Sequence, residues 1–347
     1  MTSQPEKSVL EPGDRIPDFI RSDHTGQPQA LYEYPKGRVT VLMVFTQVPK
    51  PPHQLLLRIS EQFASSPNLC VVAMIPQSVA DNAGLKAELD LGFPVWSDDG
   101  TVVDILCKGA GKSLFRMLVL DPNLRIRAGF SKKKGKFDLD KLCRDLEDAI
   151  APLQPAESPQ HIHRAAPVLL VEDILPPQLC RKLIQTHNRG KTFASGMARV
   201  VEGQAVMQQE GHLKKRIDHI VKDPALTETL TNLLSRRLLP EMKKAFHFQP
   251  RGLENFKIVR YDSSSQGFFS LHRDNNSKDT ARRKFALTLN LNSPAAYQGG
   301  ALRFPEYSPH LYRPQAGQAL VFSCSHLHEV TPVTQGTRYG LINFFWL

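Results

Sequence analysis

Cysteine is scarce in this sequence, and its few cysteines are too dispersed to form a recognisable site. There are five among 347 residues, an odd number, and no C-x-x-C pair occurs. Disulfide frameworks and structural zinc sites both need cysteines in pairs or at short fixed spacings. The sequence therefore argues against both, and we expect free, buried thiols at Cys70, Cys107, Cys143, Cys180 and Cys324.

Long apolar runs are also missing. No uninterrupted apolar stretch reaches the roughly 18 residues that a membrane-spanning helix requires. The chain begins with the polar residues MTSQPEKSVLEPGDR, which lack the apolar core of a signal peptide. We therefore expect an intracellular, cytoplasmic protein without a membrane partner.

Acidic residues are outnumbered by basic ones, 34 against 44, which gives a formal net charge of +10. Such an excess can indicate nucleic acid or an acidic partner. The densest basic run, KKKGK at residues 132–136, contains no aromatic residue that could stack on a base. We interpret it as an exposed loop and expect no nucleic-acid partner.

The first 150 residues alternate between strand-like and helix-like segments. The apolar runs at 39–45 and 69–75 are continuous, as expected of strands that are buried on both faces. Apolar residues recur with helical period at 54–63 and 137–150, and the pattern at 117–130 predicts a hairpin around Asp-Pro-Asn. This alternation predicts an α/β layer structure with a central sheet and flanking helices.

The second half has a different texture. Two helical stretches, 179–187 and 224–246, precede a series of short apolar strands separated by Gly, Pro, Ser and Asn turns, a pattern typical of a double-sheet barrel or jelly roll. A chain of this length suggests two domains. We predict an α/β domain over 8–150, a Pro- and Ala-rich linker over 151–166, and a mainly β domain with supporting helices over 167–347.

One stretch of the second half brings two metal-ligand types together. In GFFSLHRDNNSK, His272 and Asp274 stand two positions apart where an apolar strand gives way to turn residues, so their side chains share a face. His328 and Arg338 follow on later strands. Two imidazoles and one carboxylate on one face of the metal are the ligand set of mononuclear non-haem iron oxygenases. An arginine fork suits the far carboxylate of a dicarboxylate cosubstrate.

Four segments of this half follow one another in a familiar order: VLLVEDILPPQLCRKLI, FKIVRYDSSSQGFFSLHRDN, YQGGALRFPEY and HLHEVTPVTQGTRYGLINFFW. Through them, residues from about 165 to 347 resemble the prolyl 4-hydroxylase branch of the Fe(II)/2-oxoglutarate dioxygenases. The resemblance implies a double-stranded β-helix, or jelly roll, that uses Fe(II), 2-oxoglutarate and O₂, with ascorbate as reductant.

The resemblance also implies roles for individual residues. Three side chains would hold the iron: His272, Asp274 and His328. Arg338 would pair with the distal carboxylate of 2-oxoglutarate, Tyr261 would hydrogen-bond the cosubstrate, and Asn290 falls near a second group of that kind. His326 is a rival ligand, although the family pattern of His followed by x-Val-x-Pro-Val fits His328. Gly299 and Gly300 favour a tight turn rather than ligand contact.

The N-terminal half resembles a family of thiol enzymes but has no cysteine at the position where their reactive thiol lies. The segments VLEPGDRIPDF, SDDGTVVDIL and FRMLVLDPNLRIRAGF are similar to those of peroxiredoxin-type thioredoxin folds. In such peroxidases a reactive cysteine begins the helix after the first long strand. Here that stretch, residues 46–59, contains His53 and Gln54 but no cysteine. We interpret the domain as a degenerate redoxin that binds a partner, shapes the approach of substrate, or mediates self-association, for instance as a homodimer.

Together the resemblances predict an Fe(II)- and 2-oxoglutarate-dependent hydroxylase that converts 2-oxoglutarate to succinate and CO₂. A prolyl residue of a protein or peptide is the substrate implied by resemblance alone. A hydroxylase of a free amino acid or other small molecule, and a noncatalytic binding or sensing protein, stay open. Asp274 favours hydroxylation, because halogenating relatives lack this carboxylate.

Overall fold

The computed structural model describes residues 9–50, 53–108, 113–131, 138–153, 161–195, 197–201, 204–208 and 213–347. The chain divides into two units, residues 1–159 and 160–347, and the boundary falls in the segment interpreted above as a linker. The basic run at 132–136 lies outside the described residues. Among the helices that the structure describes, none has the length and apolar character needed to cross a membrane.

The N-terminal unit alternates strands and helices. Its strands are β1 (Ile20–Ser22), β2 (Pro28–Ala30), β3 (Val39–Phe45), β4 (Leu69–Ile75), β5 (Val95–Ser97), β6 (Phe115–Leu120) and β7 (Ile126–Ser131). Its helices are α1 (Gln54–Phe63), α2 (Val79–Glu88), α3 (Thr101–Leu106) and α4 (Leu139–Ile150).

A mixed sheet with strand order β5-β4-β3-β6-β7 forms the centre of this unit. β3 runs parallel to β4 and antiparallel to β6, and every residue of β3 and β4 is buried. Alternate residues of β3 enter two hydrophobic clusters, one with α1 and α4 and the other with α3. Helices therefore cover both faces of the sheet, which confirms the α/β layer structure with a thioredoxin-like central sheet.

The C-terminal unit is mainly β. Its strands are β8 (Leu169–Val171), β9 (Phe193–Ala194), β10 (Met197–Val201), β11 (Gln204–Gln208), β12 (Lys214–Lys215), β13 (Ile217–Ile220), β14 (Gly252–Leu253), β15 (Lys257–Asp262), β16 (Phe268–His272), β17 (Arg283–Asn290), β18 (Tyr297–Gly299), β19 (Leu302–Arg303), β20 (Leu311–Tyr312), β21 (Ala319–Ser323), β22 (His328–Val330) and β23 (Val333–Trp346). Its helices are α5 (Pro177–Arg189), α6 (Pro224–Arg237) and α7 (Leu239–Phe246).

Two sheets face each other in this unit, as a jelly roll requires. The larger has the order β8-β21-β17-β23-β15-β13-β9, and the smaller has the order β12-β16-β22-β19-β20. Side chains from β15, β17 and β21 share one apolar cluster with side chains from β19 and β22. The other face of the larger sheet packs against α5, α6 and α7. The predicted double-sheet architecture with supporting helices is confirmed.

The long helical stretch predicted at 224–246 is divided in the structure. α6 ends at Arg237 and α7 begins at Leu239, with Leu238 between them. Pro240 has no backbone N–H for the carbonyl of Arg236, and its ring would clash with the preceding turn, whereas proline is tolerated in the first turn of a new helix. The apolar pattern of the sequence continues across Leu238, so the pattern alone does not predict the break between α6 and α7.

The turn at Gly299 and Gly300 confirms the sequence prediction. Both residues have positive φ, 73° and 60°. A Cβ at Gly299 would overlap the carbonyl oxygen of Pro332, and one at Gly300 would lie 3.1 Å from Cδ of Arg338. Glycine is therefore required for both conformation and space, and the turn packs directly behind Arg338.

We expect Gly299→Ala to destabilise its unit by about 3 kcal/mol or more, because it adds a backbone collision to left-handed strain. Gly37→Ala is the matched control, since Gly37 has a φ of 77° and nothing lies within 4 Å of its would-be Cβ. That substitution should cost only about 1–2 kcal/mol. Urea denaturation followed by circular dichroism measures both, and equal losses would contradict the packing argument.

Candidate metal and cosubstrate site

The three predicted metal ligands converge where two inner strands of the smaller sheet end and begin. β16 ends at His272, β22 begins at His328, and these two residues lie opposite each other in the antiparallel pair. Nε2 of His272 lies 3.4 Å from Oδ1 of Asp274, and Nε2 of His328 lies 3.4 Å from Oδ2. The three ligand atoms all lie within 4.8 Å of one another, close enough for a single metal ion.

Backbone carbonyls orient both imidazoles for metal binding. Nδ1 of His272 lies 2.7 Å from the carbonyl oxygen of Ser270, and Nδ1 of His328 lies 2.9 Å from that of His326. A carbonyl oxygen can only accept, so each Nδ1 carries a proton, and in the neutral ring the lone pair is then on Nε2. Both lone-pair nitrogens therefore lie beside Asp274, as a metal-binding arrangement requires.

The charges of this cluster also suit a divalent cation. Burial, opposed by the charge of Asp274, lowers the pKa of His328 from 6.5 to about 4. Burial favours the neutral acid at Asp274, but the neighbouring His328 and His272 hold its pKa below the ordinary value of 3.8. At neutral pH the cluster therefore offers a neutral imidazole at His328 and an ionised carboxylate, which fit Fe(II).

His326, the rival ligand, takes a different position. Its carbonyl oxygen is the acceptor for His328, while its ring packs 4.9 Å from the ring of Tyr307 and 6.3 Å from that of Phe304. The imidazole is therefore outside the cluster, and His326 contributes backbone rather than side chain to it.

Arg338 lies in the same cavity as the three ligands. The cavity has a volume of about 260 Å³, and Tyr261, Thr288 and Arg338 line the wall formed by the larger sheet. Arg338 is 2% exposed, and its guanidinium reaches Oγ1 of Thr288 and Oδ1 of Asn290, each at 3.4 Å. No carboxylate among the described residues pairs with this buried charge, so an anion in the cavity would be its natural partner.

Asn290 is predicted above as a direct cosubstrate ligand, and the structure places it elsewhere. It is 0% exposed and is not one of the residues that line the cavity. Its Nδ2 donates to the carbonyls of Asn292 and Pro314, and its Oδ1 accepts from Tyr297 and Arg338. Both polar atoms of the Asn290 amide therefore have protein partners. Arg338, which lines the cavity, is one of them, so Asn290 contacts Arg338 rather than the cavity.

Comparison with known proteins bears directly on this arrangement. Residues 256–346, which contain the three ligands and Arg338, match the family described as the 2OG-Fe(II) oxygenase superfamily. The C-terminal half therefore contains a 2OG-Fe(II) oxygenase domain.

Curated relatives match about half of this chain, among them a rat protein and one from Rippkaea orientalis. Rat multifunctional procollagen lysine hydroxylase and glycosyltransferase LH3 is 26% identical over 177 residues, which are 49% of this chain and only 22% of the rat protein. A PKHD-type hydroxylase from Rippkaea orientalis is 25% identical over 186 residues, which are 51% of this chain and 77% of the relative.

Solved structures match each half separately. A prolyl-4-hydroxylase from Pseudomonas putida matches with a TM-score of 0.40 and 19% identity, covering 53% of this chain and 94% of its own. Peroxidoxin BcpB from Mycobacterium tuberculosis matches with a TM-score of 0.34 and 21% identity, covering 43% of this chain and 99% of its own.

Several residues of the oxygenase cavity were not identified from the sequence. Arg216 forms a two-pronged ion pair with Asp218, at 2.6 and 2.7 Å, and its Nη1 donates to the hydroxyl of Tyr261 at 3.3 Å. Burial, reinforced by the charge of Arg216, lowers the pKa of Lys214 to about 7. The segment HLKKRID gives no apolar period and no motif, so only the pairing of β12 and β13 with the sheets reveals that these residues enter the cavity.

The N-terminal unit has no reactive thiol where a peroxidase would need one. α1 begins at Gln54, and its N-cap residue is His53, with a left-handed φ of 54°. All five cysteines are free, and burial raises the pKa of Cys70, Cys143 and Cys107, the last to about 11. A reactive cysteine needs the opposite shift, so these thiols are structural.

The lowered pKa of His328 makes the stability of the metal-free protein depend on pH. The unfolded chain takes up a proton near pH 6.5, whereas the folded imidazole resists protonation down to about pH 4. The contribution of His328 to the free energy of unfolding should therefore be fully present above pH 6.5. Up to about 3 kcal/mol of it should be lost between pH 6.5 and pH 4. Urea denaturation in the presence of a chelator measures this loss, and a His328→Gln variant should show a smaller one, because, among the described histidines, only His24, His187 and His326 would then have a pKa lowered by burial. The same slope in both proteins would contradict the assignment.

Proposed function

We propose that the C-terminal unit is an Fe(II)- and 2-oxoglutarate-dependent hydroxylase. The observation that carries this proposal is the pairing, within one cavity, of a ligand cluster ready for a metal with a buried arginine that has no carboxylate partner among the described residues. A divalent cation would bind the three ligands, and one carboxylate of a dicarboxylate would form an ion pair with the guanidinium of Arg338. The match of residues 256–346 to the oxygenase family supports the same two ligands.

The chain's own residues would divide the work as follows. His272, Asp274 and His328 would hold Fe(II), and Arg338 would hold the far carboxylate of 2-oxoglutarate. The hydroxyl of Tyr261 accepts from Arg216, which leaves its proton free to donate to a carboxylate oxygen of the cosubstrate. Bound iron, with 2-oxoglutarate and O₂, would supply the oxidation that yields succinate, CO₂ and a hydroxylated substrate, with ascorbate as reductant.

Apolar side chains would keep water away from this chemistry. The cavity wall includes Phe269, Phe322 and Phe344 beside the polar groups. Phe269 stacks on the ring of His272 with 3.5 Å between ring centroids. These rings fix the imidazole in place and lower the local dielectric, which strengthens the attraction between Arg338 and an anion.

For the substrate, we propose a prolyl residue of a protein or peptide, as the resemblance of the four sequence segments implies. The procollagen lysine hydroxylase among the relatives is named for a protein substrate, which favours the same class. Hydroxylation of a free amino acid or other small molecule remains the alternative, followed by a noncatalytic sensor of iron or 2-oxoglutarate. In the cytoplasmic location that we propose, the redoxin-like unit would present substrate, bind a partner or form a homodimer.

The hydroxylase is tested by incubating the protein with Fe(II), 2-oxoglutarate, ascorbate and peptide and amino-acid pools. We expect succinate and products heavier by one oxygen atom, both lowered by more than about 100-fold in His272→Ala because a metal ligand is lost. His326→Ala is the matched control and should retain turnover, since its ring is outside the cluster. Binding of 2-oxoglutarate without turnover in any pool would favour the sensor instead.

Asn290 is expected to act through Arg338. Removing its amide in Asn290→Ala frees the guanidinium to move, so the KM for 2-oxoglutarate should rise by about tenfold while kcat and Fe(II) affinity change little. Steady-state kinetics with varied 2-oxoglutarate separates the two constants. A fall in kcat at unchanged KM would contradict this positioning role.

A further inference from the structure

A second cation, the half-buried Lys257, also lines the cavity. On β15, the alternating residues Lys257, Val259 and Tyr261 all line the cavity, and Tyr261 lies opposite Arg338 on β23. Lys257 is four residues from Tyr261, which corresponds to about 13 Å along a strand. The cavity therefore has a cationic pole at each end of the β15 face, Arg338 at one and Lys257 at the other.

The charges that line the cavity do not balance. Its cationic residues are Lys214, Arg216, Lys257, Arg273, Arg283 and Arg338, against a single acidic residue, Asp274. Three of the guanidinium groups already have carboxylate partners outside the lining: Arg216 with Asp218, Arg273 with Glu306 and Arg283 with Glu254. Neither Arg338 nor Lys257 forms an ion pair with any described residue. Without counting Lys214, two cations therefore lack a counter-ion.

The surroundings of Lys257 make its charge costly. Burial lowers its pKa, and the nearby Arg216 and Arg283 lower it further, more than Asp218 and Glu254 restore it. Each of those guanidinium groups is held by its own carboxylate, so neither carboxylate is free to pair with the lysine. A bound anion would remove this cost.

The cosubstrate is shorter than the backbone spacing between the two poles. A five-carbon dicarboxylate is roughly 6 Å long, about half of the separation along the strand. Once 2-oxoglutarate occupies Arg338, Lys257 remains without a partner. Lys257 is linked to the metal cluster through Arg283, whose charge acts on Lys257 and whose guanidinium donates to the backbone carbonyl of Asp274 at 3.2 Å.

Resting on the proposed hydroxylase, we propose that Lys257 binds a carboxylate of the substrate, so that this enzyme acts on carboxylate-bearing molecules. A single ammonium group near two guanidinium groups that are already engaged matches a singly charged anion better than a phosphate dianion, which would need several free donors. The carboxylate would come from an acidic side chain of a peptide or from the α-carboxylate of a free amino acid.

Binding can be tested without knowing the substrate. Mn(II) replaces Fe(II), 2-oxoglutarate saturates Arg338, and trifluoroacetate is the probe, because Mn(II) in the cluster speeds the ¹⁹F relaxation of a nearby bound molecule. We expect enhanced relaxation for trifluoroacetate and not for neutral trifluoroacetamide. The enhancement should fall at least about fivefold in Lys257→Gln, while Lys222→Gln, at an exposed lysine of the same unit, should leave it unchanged. Equal relaxation in Lys257→Gln and wild type, or with the amide, would overturn the proposal.

Failure of the hydroxylase itself would look different. Manganese that does not bind, or that binds equally in His272→Ala, contradicts the metal site. In that case the ¹⁹F linewidth of trifluoroacetate in the metal-free protein still tests Lys257, with the same two variants and the same expected loss.

Turnover distinguishes the two sources of carboxylate. One arm uses proline-containing peptides with blocked termini that carry Glu or the isosteric Gln, and the other uses free amino acids and their amides. In one arm, wild-type kcat/KM should favour the acid by at least about tenfold, and Lys257→Gln should abolish that preference. Neutral substrates that are turned over as well as acids would overturn the inference and leave the hydroxylase intact.

Discussion

The antiparallel pairing of β16 with β22 is the contact on which the candidate site depends. It places His272 opposite His328, so that two imidazoles more than fifty residues apart become neighbours. Each ring is fixed by the carbonyl two residues earlier in the chain, which presents both Nε2 atoms to Asp274. Asp274 is held in turn by its backbone N–H, which donates to the carbonyl of Cys324. Strand register, rather than any single side chain, builds the ligand cluster.

Charge organises the rest of the cavity. Arg338 is supported from behind by Asn290 and by the glycine turn, and its guanidinium has no acidic partner among the described residues. Arg216 and Arg283, by contrast, are neutralised by carboxylates and act as rigid walls. The site thus keeps a small number of unneutralised cations where anionic ligands would bind. Since buried charge is costly without a partner, each such cation indicates a ligand that the folded chain lacks.

Much of this could be predicted from the sequence, for physical reasons that differ between elements. The strands at 39–45 and 69–75 and the helix at 54–63 have the bounds observed, because their apolar patterns are continuous and end at turn residues. The spacing of His272 and Asp274 puts both on one face without knowledge of the fold. The role of Asn290 could not be predicted in this way. The sequence indicates which face of a strand a side chain is on, but not which other side chains separate it from the cavity. Lys257 could not be assigned from the sequence for a related reason, because only the packing of the two sheets around one cavity brings it together with the metal cluster.

The central claim is that one divalent metal and one dicarboxylate share this cavity, and a crystal structure of the protein with Mn(II) and 2-oxoglutarate tests it most directly. The account predicts a single anomalous-scattering peak bonded to His272, Asp274 and His328, with the cosubstrate's far carboxylate forked on Arg338. Metal bound elsewhere, or a cosubstrate that leaves Arg338 without a carboxylate, would contradict it.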